Sequence, residues 1–129
     1  MADELVLIVD DNEINLRLVR DILQYHGFRT LEAATATDGI ALAAERRPDL
    51  VLMDIQLPDM DGVSALRRLR AEPGTRAIPV VALTASVLPA DRERLAGAGF
   101  DGYLAKPIDV RAFPAQVRRY CAAASGNGG

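Results

Sequence analysis

The chain has 129 residues, half of them hydrophobic, and a formal net charge of −3 at neutral pH. This length predicts one domain with one sizeable core, and the acidic balance argues against nucleic acid as a general partner. The apolar runs are far shorter than the ~20 residues of a membrane span, and the acidic start at Met1–Glu4 is unlike an export signal. A single cysteine, Cys121, excludes an internal disulfide and is typical of a reducing compartment. We therefore expect a cytosolic protein without a membrane partner, in which Cys121 is a small buried hydrophobe.

Five short apolar runs alternate with helical patterns along the chain. Three of the runs are almost continuously apolar, which is typical of strands covered on both faces, while the second and fifth are weaker, as in edge strands. The predicted strands are Leu5–Val9, Arg29–Ala33, Leu50–Asp54, Val80–Thr84 and Gly102–Ala105. Strands that alternate with helices through short loops predict an α/β fold, with a parallel sheet, right-handed crossovers and helices on both faces.

The helical segments differ in how clearly they mark a buried face. Clear apolar stripes are Ile14, Leu18 and Ile22 with Val19 and Leu23; Val63, Leu66 and Leu69; and Val110, Phe113, Val117 and Cys121. The segments Thr37–Arg46 and Ala90–Ala98 are weaker, with faces that are mostly alanine.

Glycine and proline mark where the helices end or begin. Gly27 is typical of the residue that follows a helix, here the first. Pro114 requires the last helix either to begin late, near Ala112, or to be kinked, because a proline ring clashes inside a helix. We expect one domain over residues 1–122 and a flexible glycine-rich tail over residues 123–129.

Polar side chains stand where the apolar strands end. Asp10 and Asp11 follow the first strand, Asp54 closes the third, Thr84 closes the fourth and Lys106 follows the fifth. The carboxyl ends of parallel strands meet at one edge of the sheet, where ligands bind in α/β folds. Three carboxylates that converge there repel one another, so they predict a cation, and hard oxygen ligands favour Mg²⁺.

A lysine and a hydroxyl at the same edge would face an oxyanion. Carboxylates, a divalent cation, a lysine and a hydroxyl together indicate a site for in-line phosphoryl transfer, which depends on positioning and charge neutralisation. A carboxylate can itself be the nucleophile in such a site, giving an aspartyl phosphate. The sequence therefore predicts a phosphoryl-transfer site at this edge.

Four motifs resemble the receiver domains of two-component signalling. They are VDDNEINLRLV after the first strand, LMDIQLPDMDG around Asp54, ALTAS after the fourth strand and GYLAKPID after the fifth. The resemblance runs from about Leu5 to Tyr120 and is strongest to single-domain receivers that act as relay or cell-cycle components. It implies a flavodoxin-like (βα)5 fold in three layers, whose five-stranded parallel sheet has the order 2-1-3-4-5.

The resemblance also implies a role for each site residue. Asp54 would be the phosphoacceptor and a Mg²⁺ ligand. Asp11 would ligate Mg²⁺ directly, Asp10 through water, and the backbone carbonyl of Gln56 would be a further ligand. Lys106 would contact a phosphoryl oxygen and, before phosphorylation, Asp54. Thr84 would be the switch hydroxyl, and Tyr103 the aromatic residue that moves between exposed and buried positions. Ala85 would be the small residue beside the phosphoryl group, and Pro107 would follow a cis peptide bond.

The resemblance further implies the partners. A histidine kinase or histidine phosphotransfer protein would dock near Glu13, Ile14, Asn15 and Arg17. A downstream protein would bind the face of the fourth helix, fifth strand and fifth helix. The chain would be a monomer or a weak phosphorylation-dependent dimer. It would not be an enzyme with turnover on an external substrate.

Simpler interpretations remain for several of these residues. Asp10 or Asp11 could act as no more than a cap of the first helix, and Asp54 could be a turn residue. Lys106 could be a surface lysine, and Tyr103 could be a half-buried core aromatic. Asp59 and Asp61 are expected to be solvated loop acids and His26 a surface residue. The bases expected on solvated helix faces are Arg67, Arg68, Arg70, Arg118 and Arg119.

Three other functions compete with signalling. A pseudo-receiver that binds without phosphorylation is disfavoured because Asp54 and Lys106 are both present. A metal-dependent phosphatase with an aspartate nucleophile commonly has a second aspartate two residues later, where this chain has Gln56. The loops of this chain are also too short for the cap insertion that would form a substrate pocket. A dinucleotide enzyme is excluded because no glycine-rich turn follows the first strand.

Overall fold

The computed structural model describes residues 4–85 and 88–128, with side chains as far as Cys121. Its strands are β1 Leu5–Val9, β2 Arg29–Ala33, β3 Leu50–Asp54, β4 Val80–Thr84 and β5 Gly102–Ala105. Its helices are α1 Glu13–Tyr25, α2 Ala36–Arg46, α3 Gly62–Ala71, α4 Pro89–Ala98 and α5 Phe113–Gly128. All five strands have the bounds that the apolar runs predict.

The strands form one parallel sheet in the order β2-β1-β3-β4-β5. Alternate residues of each central strand face opposite layers, as the pleat requires. One face of the sheet packs against α1 and α5 through Leu16, Val19, Phe113 and Val117, among others. The other face packs against α2, α3 and α4, where the buried side chains are smaller on α2 and larger on α3. The predicted fold class and strand order are confirmed.

The predicted buried face of α1 is wrong in part. Ile14 is 82% exposed and Leu18 39% exposed, whereas the buried residues are Leu16, Val19 and Leu23. The sequence has two neighbouring apolar stripes on this helix, and the face toward the sheet is the one that contains Leu16. Ile14 and Leu18 are left as apolar side chains in solvent.

The start of α5 resolves the alternative raised by Pro114. The helix begins at Phe113, so Pro114 lies in its first turn, where a missing amide hydrogen costs no intrahelical bond. Val110 therefore precedes the helix and is 53% exposed, which corrects its place in the predicted stripe. The domain boundary at residue 122 and the flexible tail stay predictions, because the side chains from 122 onward lie outside the described residues.

Cys121 lies on the buried face of α5 and is unpaired, as predicted. Burial raises the pKa of its thiol to about 12, so the reactive thiolate is scarce at neutral pH. His26 follows α1 and is exposed, also as predicted, and the residue after it, Gly27, has a positive φ of 93°. Within the described part of the chain, no helix has the length and apolar run that a bilayer crossing requires.

Candidate functional site

The carboxyl edge of the sheet brings the predicted polar residues together. Asp54 and Thr84 are the last residues of β3 and β4, and Asp10 and Lys106 directly follow β1 and β5. Three of these residues, Asp54, Thr84 and Lys106, line an open cleft of about 490 Å³. The cleft is lined by Asp11, Asn12, Asp54, Ile55, Gln56, Thr84, Ala85, Asp91, Arg94 and Lys106.

Lys106 joins two of the carboxylates. Its Nζ lies 2.7 Å from Asp54 Oδ2 and 3.0 Å from Asp10 Oδ2. Burial lowers the pKa of Lys106, but its hydrogen bonds with Asp54 and Asp10 outweigh that effect and leave the pKa raised. Lys106 therefore keeps its positive charge and is not the surface lysine of the simpler interpretation.

Asp54 is largely buried and hydrogen-bonded through both oxygens. Besides the contact with Lys106, its Oδ1 accepts a hydrogen bond of 2.9 Å from the Gln56 amide. Burial raises the pKa of Asp54, and the hydrogen bonds from Lys106 and Gln56 offset part of that rise. The Asp54 carboxylate thus faces the cleft in a fixed orientation.

Asp10 is fully buried and does not cap α1. Its Oδ1 accepts a hydrogen bond from the Asn12 amide, and its Oδ2 accepts one from the Asn15 side chain. The cap is Asn12, whose side chain accepts from the Asn15 amide at 3.0 Å. The capping interpretation of Asp10 and Asp11 is therefore wrong. The sequence reasoning missed Asn12 as a site residue and placed Asn15 only on the docking surface.

The three acids form a cluster suited to a hard cation. One oxygen each from Asp10, Asp11 and Asp54 lies within 4.8 Å of the others. Asp11 is exposed, whereas the other two acids are buried, so the cluster opens to solvent on one side. An all-carboxylate donor set with an open side matches the preference of Mg²⁺ for a few carboxylates and several waters.

Tyr103 lies on β5, half-buried against the layer of α2, α3 and α4. Its hydroxyl accepts a hydrogen bond of 3.2 Å from Arg92 Nη1 on α4. Thr84, on the neighbouring strand, is 1% exposed and pairs in register with Ala105. The two residues thus lie on neighbouring strands, and their action as a switch stays a prediction.

Asp59 and Asp61 are exposed, as predicted, but both also make structural hydrogen bonds, and Arg70 is only partly exposed. Asp59 accepts hydrogen bonds from the amides of Ala36 and Thr37 and from the Thr37 hydroxyl, which lower its pKa to about 2. Asp61 caps α3. Arg70 donates to the Ile78 carbonyl and pairs with Asp101 at 2.9 Å.

The other bases are closer to expectation. Arg67 and Arg68 are exposed on α3. Arg118 is exposed but stacks on Phe28, with its guanidinium carbon 4.9 Å from the ring centroid. Lys106 is the only lysine in the sequence, and the other 14 of its 15 lysine and arginine residues are arginines. A lone lysine at a strand end was a signal in the sequence for this position.

The site geometry agrees with what comparisons with known proteins find. Residues 6–118 match the sequence profile of the response regulator receiver domain. The polar-differentiation response regulator DivK of Brucella anthropi is 40% identical over 115 residues, which cover 89% of this chain and 94% of DivK.

Two solved structures are similar over nearly their whole length. The receiver domain of the sensor histidine kinase PA1611 from Pseudomonas aeruginosa, with magnesium coordinated in its active-site cleft, is 35% identical with a TM-score of 0.85. The alignment covers 93% of this chain and 98% of that one. The chemotaxis response regulator CheY4 of Vibrio cholerae is 26% identical with a TM-score of 0.86, over 91% of this chain and 98% of CheY4.

Proposed function

Because the chain belongs to the response regulator receiver domain family, we propose that it accepts a phosphoryl group on Asp54 and thereby changes its binding to protein partners. One observation carries this proposal. The Asp54 carboxylate lies at the end of β3, held by Lys106 at 2.7 Å, in a cleft that Asp11 also lines, and one oxygen of the buried Asp10 lies within 4.8 Å of both acids. A nucleophile, a cation and further metal-binding carboxylates are thus already together.

The donor is a histidine kinase or a histidine phosphotransfer protein. A carboxylate oxygen of Asp54 attacks the phosphorus atom of the phosphohistidine, the new P–O bond forms as the P–N bond breaks, and the imidazole nitrogen leaves with the electron pair. Lys106 neutralises charge on the transferred group. The chain acts on its own phosphorylation and dephosphorylation, and not on an external substrate.

We assign the metal ligands to Asp10, Asp11, Asp54 and the backbone carbonyl of Gln56. When bound there, Mg²⁺ supplies charge neutralisation for the transferred phosphoryl group. The three carboxylates, the open side of the cluster and the magnesium in the similar PA1611 receiver support this assignment. Lys106 supplies a single positive charge to the cluster before the metal binds.

Mg²⁺ is expected to stabilise the folded protein by mass action, because the unfolded chain lacks the site. At a metal concentration of about 100 times the dissociation constant, the gain is about 2.7 kcal/mol. Thermal melts with and without Mg²⁺ measure it. Asp11→Asn should lose most of the gain, whereas Asp38→Asn, an exposed acid on α2, should keep it. An equal response of Asp11→Asn and the wild type would contradict the ligand assignment.

The docking site for the phosphodonor is assigned to α1 and the loop before it, around Glu13, Ile14, Asn15 and Arg17. The exposure of Ile14 and Leu18 supports this, because contiguous apolar side chains in solvent mark interaction sites. The downstream partner binds the face of α4, β5 and α5, whose state Thr84 and Tyr103 report. The protein works in the cytosol as a monomer or a weak phosphorylation-dependent dimer.

Acetyl phosphate with Mg²⁺ is expected to add one phosphoryl group to Asp54, and none to His26 or Cys121. Intact mass measures the adduct, and loss of the adduct in mild base identifies an acyl phosphate. Asp54→Asn should reduce labelling at least 100-fold, because an amide is a poor nucleophile. The matched control is Asp49→Asn, an exposed acid before β3.

Two results would count against phosphorylation of Asp54. An equal adduct on Asp54→Asn would place the phosphoryl group on another residue. A wild-type protein that binds Mg²⁺ but gives no adduct would favour the pseudo-receiver.

A further inference from the structure

We propose that Arg94 is a second cation for the phosphorylated site, and that its contact with the phosphoryl group draws α4 toward the cleft. This inference rests on phosphorylation of Asp54 as proposed above. It concerns how α4 senses the phosphoryl group, through a residue that neither binds metal nor forms part of the predicted switch pair. Arg94 would thus bind the phosphoryl group directly.

Arg94 stands on the wall of the cleft that holds Asp54, Thr84 and Lys106. Its side chain is exposed and makes no hydrogen bond or ion pair with the residues that the structure describes. Asp91 lies one helical turn earlier and lines the same wall, but its side chain is short. The long stem of Arg94 lets its guanidinium extend into the cleft, while the Asp91 carboxylate stays near the helix.

The charge of the site creates a demand for such a cation. Asp10, Asp11 and Asp54 together carry three negative charges, which Lys106 and a divalent cation balance. Phosphorylation replaces the single negative charge of the Asp54 carboxylate with roughly −1.5 to −2, so about half to one negative charge is left over. A guanidinium is suited to neutralise it, because it donates two parallel hydrogen bonds to phosphoryl oxygens.

Helix α4 is weakly attached, so a single new contact can move it. Leu95 is the only buried residue of α4, and the helix cap at Leu88 has no side-chain hydrogen bond. Few buried apolar contacts imply a low free energy for local displacement. A pull by Arg94 would therefore shift the helix before it disturbed the sheet.

The shift has a consequence on the other side of α4. Arg92 and Arg94 are two residues apart, so their side chains leave the helix about 200° apart. Arg92 donates to the Tyr103 hydroxyl at 3.2 Å, while Arg94 faces the cleft. Movement of α4 toward the cleft would open the Arg92–Tyr103 contact and free the Tyr103 ring.

The test is titration of the phosphoryl mimic beryllofluoride in the presence of Mg²⁺. Arg94→Ala is expected to weaken its binding roughly tenfold, equivalent to about 1.4 kcal/mol, and Arg94→Lys to recover part of the loss. Binding of Mg²⁺ alone should stay within about twofold of the wild type, because the charge deficit arises only with the phosphoryl group. Arg68→Ala removes a matched exposed arginine from α3 and should bind like the wild type.

The controls separate this inference from the proposed function. If Asp54→Asn binds beryllofluoride as the wild type does, the phosphoacceptor itself is wrong. If Asp54→Asn does not bind but Arg94→Ala binds like the wild type, only the role of Arg94 is overturned. At saturation, NMR signals of Tyr103 should move less in Arg94→Ala than in the wild type, and equal movement would overturn the link through α4.

Discussion

Lys106→Met is expected to lower the free energy of unfolding by roughly 2–3 kcal/mol in the absence of divalent cations. Lys106 contacts Asp54 and the fully buried Asp10, so its loss leaves two buried carboxylates without their shared positive partner. Removal of one member of a buried ion pair costs about 3–5 kcal/mol, and the 22% exposure of the Lys106 side chain reduces that cost. Methionine keeps the apolar stem, so the effect is that of the charge.

Urea unfolding measures this loss. Lys106→Arg keeps the charge and should lose less than half as much, while Mg²⁺ should stabilise Lys106→Met more than the wild type because it replaces the missing charge. The double variant Asp54→Asn/Lys106→Met should recover part of the stability, since it carries one buried charge fewer. Equal stability of Lys106→Met and the wild type without metal would show that the ion pairs contribute nothing.

The single lysine also gives a direct spectroscopic reporter. Lysine labelled with ¹³C yields one side-chain signal, which can be followed without assignment. With Mg²⁺ already present, that signal should shift on addition of acetyl phosphate to the wild type and stay in place in Asp54→Asn.

The sheet could be predicted from the sequence because its three central strands, β1, β3 and β4, are buried on both faces. Such strands are apolar throughout, so the polar residues at their ends, such as Asp54 and Thr84, mark both the strand bounds and the site. The site could then be placed by topology alone, because parallel strands bring their carboxyl ends to one edge.

The helix faces and the surface contacts could not be predicted in the same way. On α1 two apolar stripes lie side by side, and only packing against the sheet selects the one with Leu16. The partners of Asp59 lie 22 and 23 residues away, and Asp101 lies 31 residues from Arg70. Such pairs depend on how the loops meet in three dimensions, and neither partner has a local signal.

Thr84→Val is expected to separate phosphorylation from its readout. The Thr84 side chain is buried at the end of β4, and valine matches its shape but lacks the hydroxyl. A phosphoryl group brings three strong acceptor oxygens to the cleft, and we expect the Thr84 hydroxyl to turn toward one of them. The loop after Thr84 would follow, and the Tyr103 ring would move inward on the neighbouring strand. In Thr84→Val the chemistry on Asp54 remains, but this step is missing.

The readout is the NMR signal of Tyr103 with and without beryllofluoride, identified through Tyr103→Phe among the three tyrosines. The wild type and Thr84→Ser, which keeps a hydroxyl, should show the shift, whereas Thr84→Val should lose most of it while still accepting a phosphoryl group from acetyl phosphate. Because phosphorylation biases an equilibrium between two states, the inward ring should be sparsely populated beforehand. A shift of wild-type size in Thr84→Val would refute the coupling between Thr84 and Tyr103. Asp54 would then still be the phosphoacceptor, and Arg94 would be the remaining route from the phosphoryl group to α4.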